Sequence, residues 1–451
     1  MNLLNTIINK ITKGNERSVA VKKNIIGSFF LKGISIIVSM LLVPATIGFV
    51  NAELYGVWLT LSSMMIWLGF ADVGFTQGLK NKLTEAIAQN DWERGKALVS
   101  TTYVMMFVIF LPLCVILELI VPLVHWSSLL NINPIYEKDI LQAMQVLVIF
   151  ACTQMVANVI VSVVAAFQKV ALSGSFLVIG NVLSLINVYL LRACCSPSLF
   201  SLVFAVSAMP ILVTIIATLI LYKGKFRRVA PSFRTVNTSY IKDLFCLGYK
   251  FFIINIQVLV LYQSTNILIS YVSSPIEVTY YNIAYKLLNC AMMVYTIITA
   301  PLWPAYTDAY VRNDYDWMKK MKKSMVRILF LSIIGCIFLV LISSTLYSVW
   351  IGTNINIPFT WSALVGVYVI VYCCQNLNGT ILVAMSKIKL NIILLTLGML
   401  VHLPLSLALS KWIDGYAVIV SMSIITIIYA IVYQIQVNML LNKKAYGIWN
   451  E

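Results

Sequence analysis

Long apolar runs separated by short polar connections are the main pattern along this chain. A membrane-spanning helix needs about 20 consecutive, mostly apolar residues. Twelve runs of this length can be recognised, and we number them in chain order. They cover residues 24–50, 55–77, 99–124, 140–167, 172–191, 199–221, 246–271, 278–305, 325–350, 359–384, 390–409 and 416–440. The pattern predicts an all-α integral membrane protein of about twelve transmembrane helices.

The basic residues favour one side of this layout. The chain has 32 Lys and Arg against 16 Asp and Glu, which gives a net charge of +16. With the N-terminus in the cytoplasm, 26 of the 32 lie in or at the border of cytoplasmic segments, three in outer loops and three within runs. Lys and Arg are retained on the cytoplasmic side during insertion. Both termini are therefore predicted to be cytoplasmic. This arrangement explains the positive net charge without a nucleic-acid partner, and membrane lipids are the expected partners of the basic residues.

The polar segment 222–245 separates the first six runs from the last six. We predict a basic cytoplasmic leader at 1–23, an N-terminal six-helix bundle at 24–221, a cytoplasmic linker at 222–245, a C-terminal six-helix bundle at 246–440 and a cytoplasmic tail at 441–451. Leu54-Tyr55-Gly56-Val57-Trp58 resembles Tyr280-Tyr281-Asn282-Ile283-Ala284, which indicates duplicated halves in parallel orientation. Two such bundles are expected to surround a central cavity.

Charged and amide side chains within the runs are the candidate cavity residues, because each is costly in lipid. Lys32 and Lys286 lie deep in runs 1 and 8, and Lys250 lies near the cytoplasmic end of run 7. The amides that share helix faces are Gln154 with Asn158 and Gln263 with Asn266. Lysines in a water-filled cavity would suit an anionic group. Snorkelling of the lysines and hydrogen bonding of the amides between helices are the alternatives.

Several kinds of catalytic site have no counterpart in the sequence. There is no Walker A motif, no Ser/His/Asp set and no long outer loop with paired carboxylates. The nine cysteines form no CxxC pair, and the two histidines are isolated. We therefore expect a transporter that uses no cofactor or metal. A membrane-embedded polysaccharide polymerase or glycosyltransferase is disfavoured because the outer loop is missing.

The segment LYGVWLTLSSMMIWLGFADVGFTQGLKNKLTEA, residues 54–86, resembles the second helix and following loop of bacterial O-antigen flippases. These form part of the polysaccharide-transporter branch of the multidrug/oligosaccharidyl-lipid/polysaccharide exporter superfamily. The first run, GSFFLKGISIIVSMLLVP, and YYNIAYK in run 8 are also similar to that family. The motifs are Tyr55-Gly56, Trp58, Trp67, Asp72-x-Gly74 and Gly78-Leu79-x-Asn81-Lys82.

The resemblance implies a flippase in the bacterial inner membrane. It would move an undecaprenyl-diphosphate-linked oligosaccharide from the cytoplasmic to the periplasmic leaflet by alternating access, with a polysaccharide polymerase and a chain-length regulator as possible partners. Lys32, Lys250 and Lys286 would then line a cationic cavity. Asp72 and Glu118 are candidates for ion coupling, although Asp72 also suits a structural role at a helix end. The alternative is a drug or small-molecule antiporter of the same superfamily.

Overall fold

The computed structural model of the chain describes residues 16–72, 74–194, 196–242, 263–299, 302–352, 355–387 and 389–450. In these residues the regular structure is helical, with α-helices joined by short turns and 3₁₀ segments. The helices up to residue 242 are α1 (Glu16–Ile47), α2 (Ala52–Ile66), α3 (Phe75–Ala88), α4 (Trp92–Ile120), α5 (Trp126–Leu130), α6 (Glu137–Ala157), α7 (Val159–Ala166), α8 (Val170–Cys194) and α9 (Leu199–Lys223). Those from residue 263 onward are α10 (Thr265–Val272), α11 (Pro275–Thr299), α12 (Leu302–Val311), α13 (Tyr315–Leu341), α14 (Ser343–Trp350), α15 (Phe359–Ala384), α16 (Lys389–Ile413) and α17 (Tyr416–Leu441).

Nine of the helical segments in the described residues are long and apolar enough to cross a membrane. They are Phe30–Ile47, Trp92–Leu123, Pro134–Ala166, Ala171–Cys194, Leu199–Lys223, Tyr315–Leu341, Phe359–Ala384, Lys389–Ile413 and Tyr416–Leu441. The prediction of an all-α membrane protein is confirmed. The count of twelve stays a prediction, because runs 2, 7 and 8 are not among the nine.

These three runs differ from the others for separate reasons. Run 2 is interrupted, since α2 ends at Ile66 and a 3₁₀ segment, Trp67–Asp72, precedes α3. Most of run 7 lies outside the described residues. Run 8 corresponds to α11, which is 25 residues long but carries many polar side chains. Polar residues along a predicted span mark it as a helix with a function beyond crossing the bilayer.

Asp72 and Gly74 determine how α3 begins. The Asp72 carboxylate accepts hydrogen bonds from the backbone N–H of Thr76, at 3.1 Å, and from the Thr76 hydroxyl. Gly74 has a φ of 83°, a left-handed conformation that a side chain would disfavour. The first N–H groups of a helix lack partners within it, so a carboxylate here stabilises the helix start. The Asp-x-Gly motif therefore has a structural use in this chain.

Contacts between residues divide the chain into two compact units. Unit 1 comprises Met1–Asn51, Met64–Ser127 and Asn133–Ile253, and unit 2 comprises Ala52–Ser63, Ser128–Ile132 and Ile254–Glu451. The first part of α2 thus belongs with the C-terminal helices. The predicted bundle limits at 24–221 and 246–440 stay predictions.

Gly56 explains why the start of α2 packs within unit 2. A Cβ atom on Gly56 would overlap the carbonyl oxygen of Pro275, which begins α11. Beside this contact, the Thr279 hydroxyl donates a 2.6 Å hydrogen bond to the carbonyl of Ala52. The Tyr55-Gly56 motif therefore permits a close approach of two helix backbones that a larger residue would prevent.

Matching turns recur in the N-terminal and C-terminal halves of the chain. Asn90 and Asn313 both have a positive φ, of 58° and 59°, and each is followed by an aspartate that caps the next helix. Asp91 accepts from the N–H of Arg94, and Asp314 accepts from that of Trp317, both at 3.0 Å. Asn tolerates the left-handed conformation, and Asp is a favoured N-cap. The shared geometry supports the duplication that the sequence echo predicts.

The segment between the two halves is attached to α4 within unit 1. Two backbone N–H groups of this segment donate to α4 hydroxyls: that of Ser232 to Ser100, at 2.9 Å, and that of Asn237 to Thr101, at 3.0 Å. The Ser100 hydroxyl also lies 2.9 Å from that of Thr235. Ser100 and Thr101 are buried, so these contacts attach the segment to interior positions of α4. The described part of the predicted linker is therefore an ordered extension of unit 1.

Candidate functional site

One face of α11 carries a row of polar and aromatic side chains. Asn282, Tyr285, Lys286 and Asn289 are spaced i, i+3, i+4 and i+7, and such positions lie on the same side of a helix. We call these four residues the amide–lysine face. None of the four is fully buried or fully exposed, so the face is neither sealed in a core nor open to its surroundings. Only Lys286 of this set had been singled out from the sequence.

The amide end of this face belongs to a chain of hydrogen bonds within unit 2. The Asn282 side-chain amide donates to the Asn266 carbonyl oxygen at 2.8 Å, and Asn266 donates to the Ser63 hydroxyl at 2.7 Å. Asn282 also donates to the backbone carbonyl of Val278. The chain joins α2, α10 and α11 through side chains from three helices. Such a network fixes the orientation of each amide.

Lys286 lies one helical turn beyond Asn282, and its sequence neighbour Tyr285 belongs to a row of tyrosine rings. The ring centroids of Tyr281 and Tyr285 are 5.7 Å apart, and those of Tyr285 and Tyr368 are 6.4 Å apart. Tyr368 in turn lies 6.2 Å from Tyr372 on the same helix, α15. These separations are typical of aromatic pairs that stabilise each other. A cation, amides and aromatic rings are thus placed along adjoining turns of α11 and α15.

The predicted pair Gln154 and Asn158 forms a different kind of cluster, in unit 1. The Gln154 amide donates to the Asn158 carbonyl oxygen at 2.6 Å and to the Thr214 hydroxyl at 3.3 Å. Thr214 lies on α9, and Asn158 lies at the junction where α6 ends and α7 begins. The arrangement corresponds to the structural alternative, in which amides hydrogen-bond between helices.

The remaining predicted residues lie in separate places. Lys32 is exposed on α1, and Gln263 is partly buried just before α10. The Glu118 carboxylate on α4 lies beside the Gln145 amide. Asp72 begins α3, as described above, and Lys250 lies outside the described residues. The structure therefore brings Asn266 together with the α11 face, one turn from Lys286, and it shows no such grouping for the others.

The residues that sequence reasoning missed were Asn282, Tyr285, Asn289 and Ser63. Asn282 and Tyr285 could have been found from Lys286 alone, since they lie four and one positions before it and share its helix face or border. Ser63 could not, because it is 203 residues from its partner Asn266. No group of three His, Cys, Asp or Glu side chains that could hold a metal ion occurs in the described ranges.

Comparison with known proteins agrees with this architecture. The chain matches the family described as "Polysaccharide biosynthesis protein" over residues 21–310. A putative O-antigen transporter of Salmonella typhimurium is 25% identical over 150 residues, which make up 33% of this chain and 35% of that protein. The match thus spans about a third of the length of this curated relative.

Solved transporter structures share the fold at low sequence identity. An inward-facing multidrug resistance MATE family transporter of the MOP superfamily superposes with a TM-score of 0.69 at 13% identity, covering 91% of this chain and all of the other. An outward-facing MATE family transporter of that superfamily gives a TM-score of 0.61 at 12% identity, covering 97% and 98% of the two chains. The fold is therefore that of MOP-superfamily transporters.

Proposed function

Because this chain belongs to the polysaccharide biosynthesis protein family, and is a multi-pass membrane transporter rather than an enzyme, we propose that it carries a lipid-linked oligosaccharide across the membrane. The substrate would be an undecaprenyl-diphosphate-linked repeat unit, of the O-antigen type or similar, moved from the cytoplasmic to the periplasmic leaflet. The putative O-antigen transporter from Salmonella typhimurium supports this substrate class, over the third of its length that matches.

The observation that carries the proposal is the amide–lysine face on α11. Lys286 offers a compact positive charge, which meets a diphosphate through Coulomb attraction with modest demands on geometry. Asn282 and Asn289 offer amide donors and acceptors suited to sugar hydroxyls. Tyr285 adds an apolar ring with a polar tip, which can pack on a sugar ring. A diphosphate joined to a sugar needs all three kinds of contact along its length, and α11 supplies them over two turns, about 10 Å.

Location and energy source complete the proposal. The distribution of Lys and Arg supports an inner-membrane protein with both termini in the cytoplasm. Transport by alternating access would be coupled to an ion gradient. Glu118 is the better candidate for the coupling group, since the Asp72 carboxylate is already used to begin α3. A polysaccharide polymerase and a chain-length regulator would be the partners that use the product.

A drug antiporter is the second candidate function, favoured by the multidrug transporters that share the fold. Cationic drugs call for acidic side chains in the binding site, whereas the charge on the amide–lysine face is positive. The two functions therefore differ in the sign of the charge they require from the site.

Replacing Lys286 distinguishes the two functions. Purified protein in vesicles would be assayed for translocation of a fluorescent undecaprenyl-diphosphate oligosaccharide and, separately, of a cationic dye. We expect Lys286→Ala to lower oligosaccharide transport at least 10-fold, because a partly desolvated charged contact contributes roughly 1.5–3 kcal/mol. Lys286→Arg should keep most of the activity.

Lys411→Ala is the matched control, because it removes the same charge from an exposed position at the end of α16. It should transport like the parent. Oligosaccharide transport by Lys286→Ala at the parent's rate would reject the flippase proposal. An increase in dye transport by this variant, without a loss of oligosaccharide transport, would reject it as well.

A further inference from the structure

A second cationic site, separate from the amide–lysine face, lies where the start of α13 meets the end of α17 in unit 2. It is a cavity of about 230 Å³ lined by three lysines and three amides. These six residues, which we call the basic pocket, are Lys319, Lys322, Lys323, Gln434, Asn438 and Asn442. Among the described residues no carboxylate lines the pocket, and the side chains that do are cationic or neutral.

Lys322 shows that the pocket is built into the fold. Its side chain is 8% exposed, and its ammonium group donates a 2.9 Å hydrogen bond to the Asn438 side-chain oxygen. Asn438 also accepts from the Gln434 amide, at 3.4 Å. A buried charge whose partner is a neutral amide has lost water without gaining a countercharge, which costs stability. An anion in the cavity would supply that countercharge.

The acidic residues closest along α13 do not neutralise these lysines. Asp314 caps the helix by accepting from the N–H of Trp317, at 3.0 Å. Asp316 is exposed, and no ion pair joins it to a pocket lysine in the described part of the chain. The ion pairs recorded in the described residues are those of Glu85 with Lys82 and with Arg94, and neither involves α13.

Three other cations near helix ends lie over aromatic rings. Lys443 lies 4.7 Å from the centre of the Tyr315 ring, next to the basic pocket. In unit 1, Lys169 lies 5.3 Å from the Phe226 ring, and Arg228 lies 5.3 Å from that of Trp92. Burial and the neighbouring Lys225 lower the pKa of Lys169 to about 8. The lysines of the basic pocket are instead arranged around an open volume.

The position of the pocket along α13 and α17 indicates the level in the membrane at which a ligand would bind. Both α13 and α17 are apolar enough to span a membrane. Val326, at the apolar border of α13, lines the cavity, and Met325 and Leu329, on either side of it in the chain, are buried. The pocket thus lies where a membrane helix passes from acyl chains to head groups. The charge bias predicts that this end of both helices lies in the cytoplasmic leaflet.

We propose that the basic pocket binds the phosphate head group of an anionic glycerophospholipid from the cytoplasmic leaflet. Basic pockets between membrane helices on this side are suited to such head groups, whose phosphate lies at the level of the lysines. Lys322 and the amides hold the phosphate oxygens, and Lys319 and Lys323 complete the charge from the exposed rim. The bound lipid ties the start of α13 to the end of α17.

Lipid titration of the full-length protein in detergent tests this site. Delipidated protein would be titrated with phosphatidylglycerol, phosphatidylcholine and glycerol 3-phosphate, with bound lipid counted by native mass spectrometry and unfolding followed by tryptophan fluorescence. We expect phosphatidylglycerol to bind at least 10-fold more tightly than phosphatidylcholine and to raise the unfolding temperature. Equal stabilisation by glycerol 3-phosphate at the same concentration would overturn the assignment to a lipid.

Variants of α13 test the pocket itself. Lys319→Gln and Lys323→Gln should each weaken phosphatidylglycerol binding about fivefold, as expected for one lysine near a phosphate. Lys320→Gln is the matched control, since it changes the same charge one position away but does not line the cavity. Lys322→Met should abolish the preference for phosphatidylglycerol and leave the unfolding temperature in phosphatidylcholine unchanged or higher. Equal weakening by Lys320→Gln would show general surface attraction and reject the pocket.

Discussion

Two clusters of amide side chains, one in each unit, differ in the side chains that lie beyond them. In unit 1, Gln154 and Asn158 bond to each other and to Thr214, and an apolar helix, α7, follows. In unit 2, Asn266 bonds to Asn282, and the same face of α11 continues with Tyr285, Lys286 and Asn289. The amides of the first cluster hydrogen-bond to one another and to Thr214, whereas the second cluster continues along α11 to a lysine. The side chains next to the amides therefore distinguish a structural cluster from a candidate binding face.

The largest expected effect comes from Gly56→Ala. This substitution disturbs the contact between α2 and α11, which places Ser63 of α2 beside the amide cluster of unit 2. The new Cβ atom would overlap the carbonyl oxygen of Pro275, so α2 and α11 must move apart. Overpacking of this kind costs roughly 1–3 kcal/mol or more, because backbone cannot yield as a side chain can. Thermal unfolding in detergent should show a clear destabilisation.

Gly33→Ala is the control for Gly56→Ala, since a Cβ atom at Gly33 meets nothing within 4 Å. It should unfold at or above the temperature of the parent protein. A Gly56→Ala variant as stable as Gly33→Ala would contradict the close helix contact.

Asn282→Leu and Gln154→Leu form the direct test of the comparison. Asn282→Leu removes the amide next to Lys286 and leaves Asn266 without its donor, so oligosaccharide transport should fall about 10-fold with a modest loss of stability. Gln154→Leu breaks only helix–helix hydrogen bonds, so it should cost about 1–2 kcal/mol of stability. Transport would be measured per folded molecule in vesicles. If Gln154→Leu lowers transport as much as Asn282→Leu, the two clusters do not differ in role.

Tyr285→Leu should have a smaller effect, confined to substrates that carry sugar. Loss of the ring removes packing worth about 0.5–1.5 kcal/mol, which is roughly a 2- to 12-fold change in affinity. Binding of undecaprenyl diphosphate without sugar should be unchanged, whereas binding of the oligosaccharide form should weaken. Competition binding with both lipids measures the difference, and equal weakening of both would place the ring near the diphosphate instead.

The smallest effect is expected at Lys32, which is exposed where Lys286 is partly buried. Water and salt screen exposed charges, so Lys32→Ala should lower transport about fivefold or less. Lys32→Arg should behave like the parent, and Lys32→Glu should be worse than Lys32→Ala because repulsion is added to the loss. Surface polysaccharide in cells that rely on the variant gives the readout. A loss at Lys32→Ala as large as that at Lys286→Ala would remove the distinction between the two lysines.

The duplication was the hardest feature of the fold to recognise from the sequence. Five residues at 54–58 and 280–284 gave only a weak echo. The structure adds matching turns at Asn90-Asp91 and Asn313-Asp314, whose positive φ angles and helix caps are the same. A turn needs only one residue that tolerates a left-handed backbone and one that caps, so its geometry can persist where sequence similarity has faded.

The candidate site residues stay predictions, and the structure shows only where each of them lies. Lys286 was selected by its depth in an apolar run, because placing a lysine there costs free energy unless the residue has a function or a partner. The same criterion selected Gln154 and Asn158, which hydrogen-bond between helices, and Lys32, which is exposed. Depth measures only how far a residue lies from the ends of its helix. It carries no information about the side chains on neighbouring helices.

The sequence by itself determined the all-α membrane architecture, and it predicts which side of the membrane the basic residues favour. Both depend on sums over neighbouring residues, hydrophobicity along a run and charge within a loop, so no long-range contact is needed to read them. Only the tertiary structure decided that Ser63 meets Asn266 across 203 residues, and that Lys322 is buried against Asn438 across 116. Such pairings follow from the packing of helices far apart in the chain, which hydrophobic pattern and charge leave undetermined.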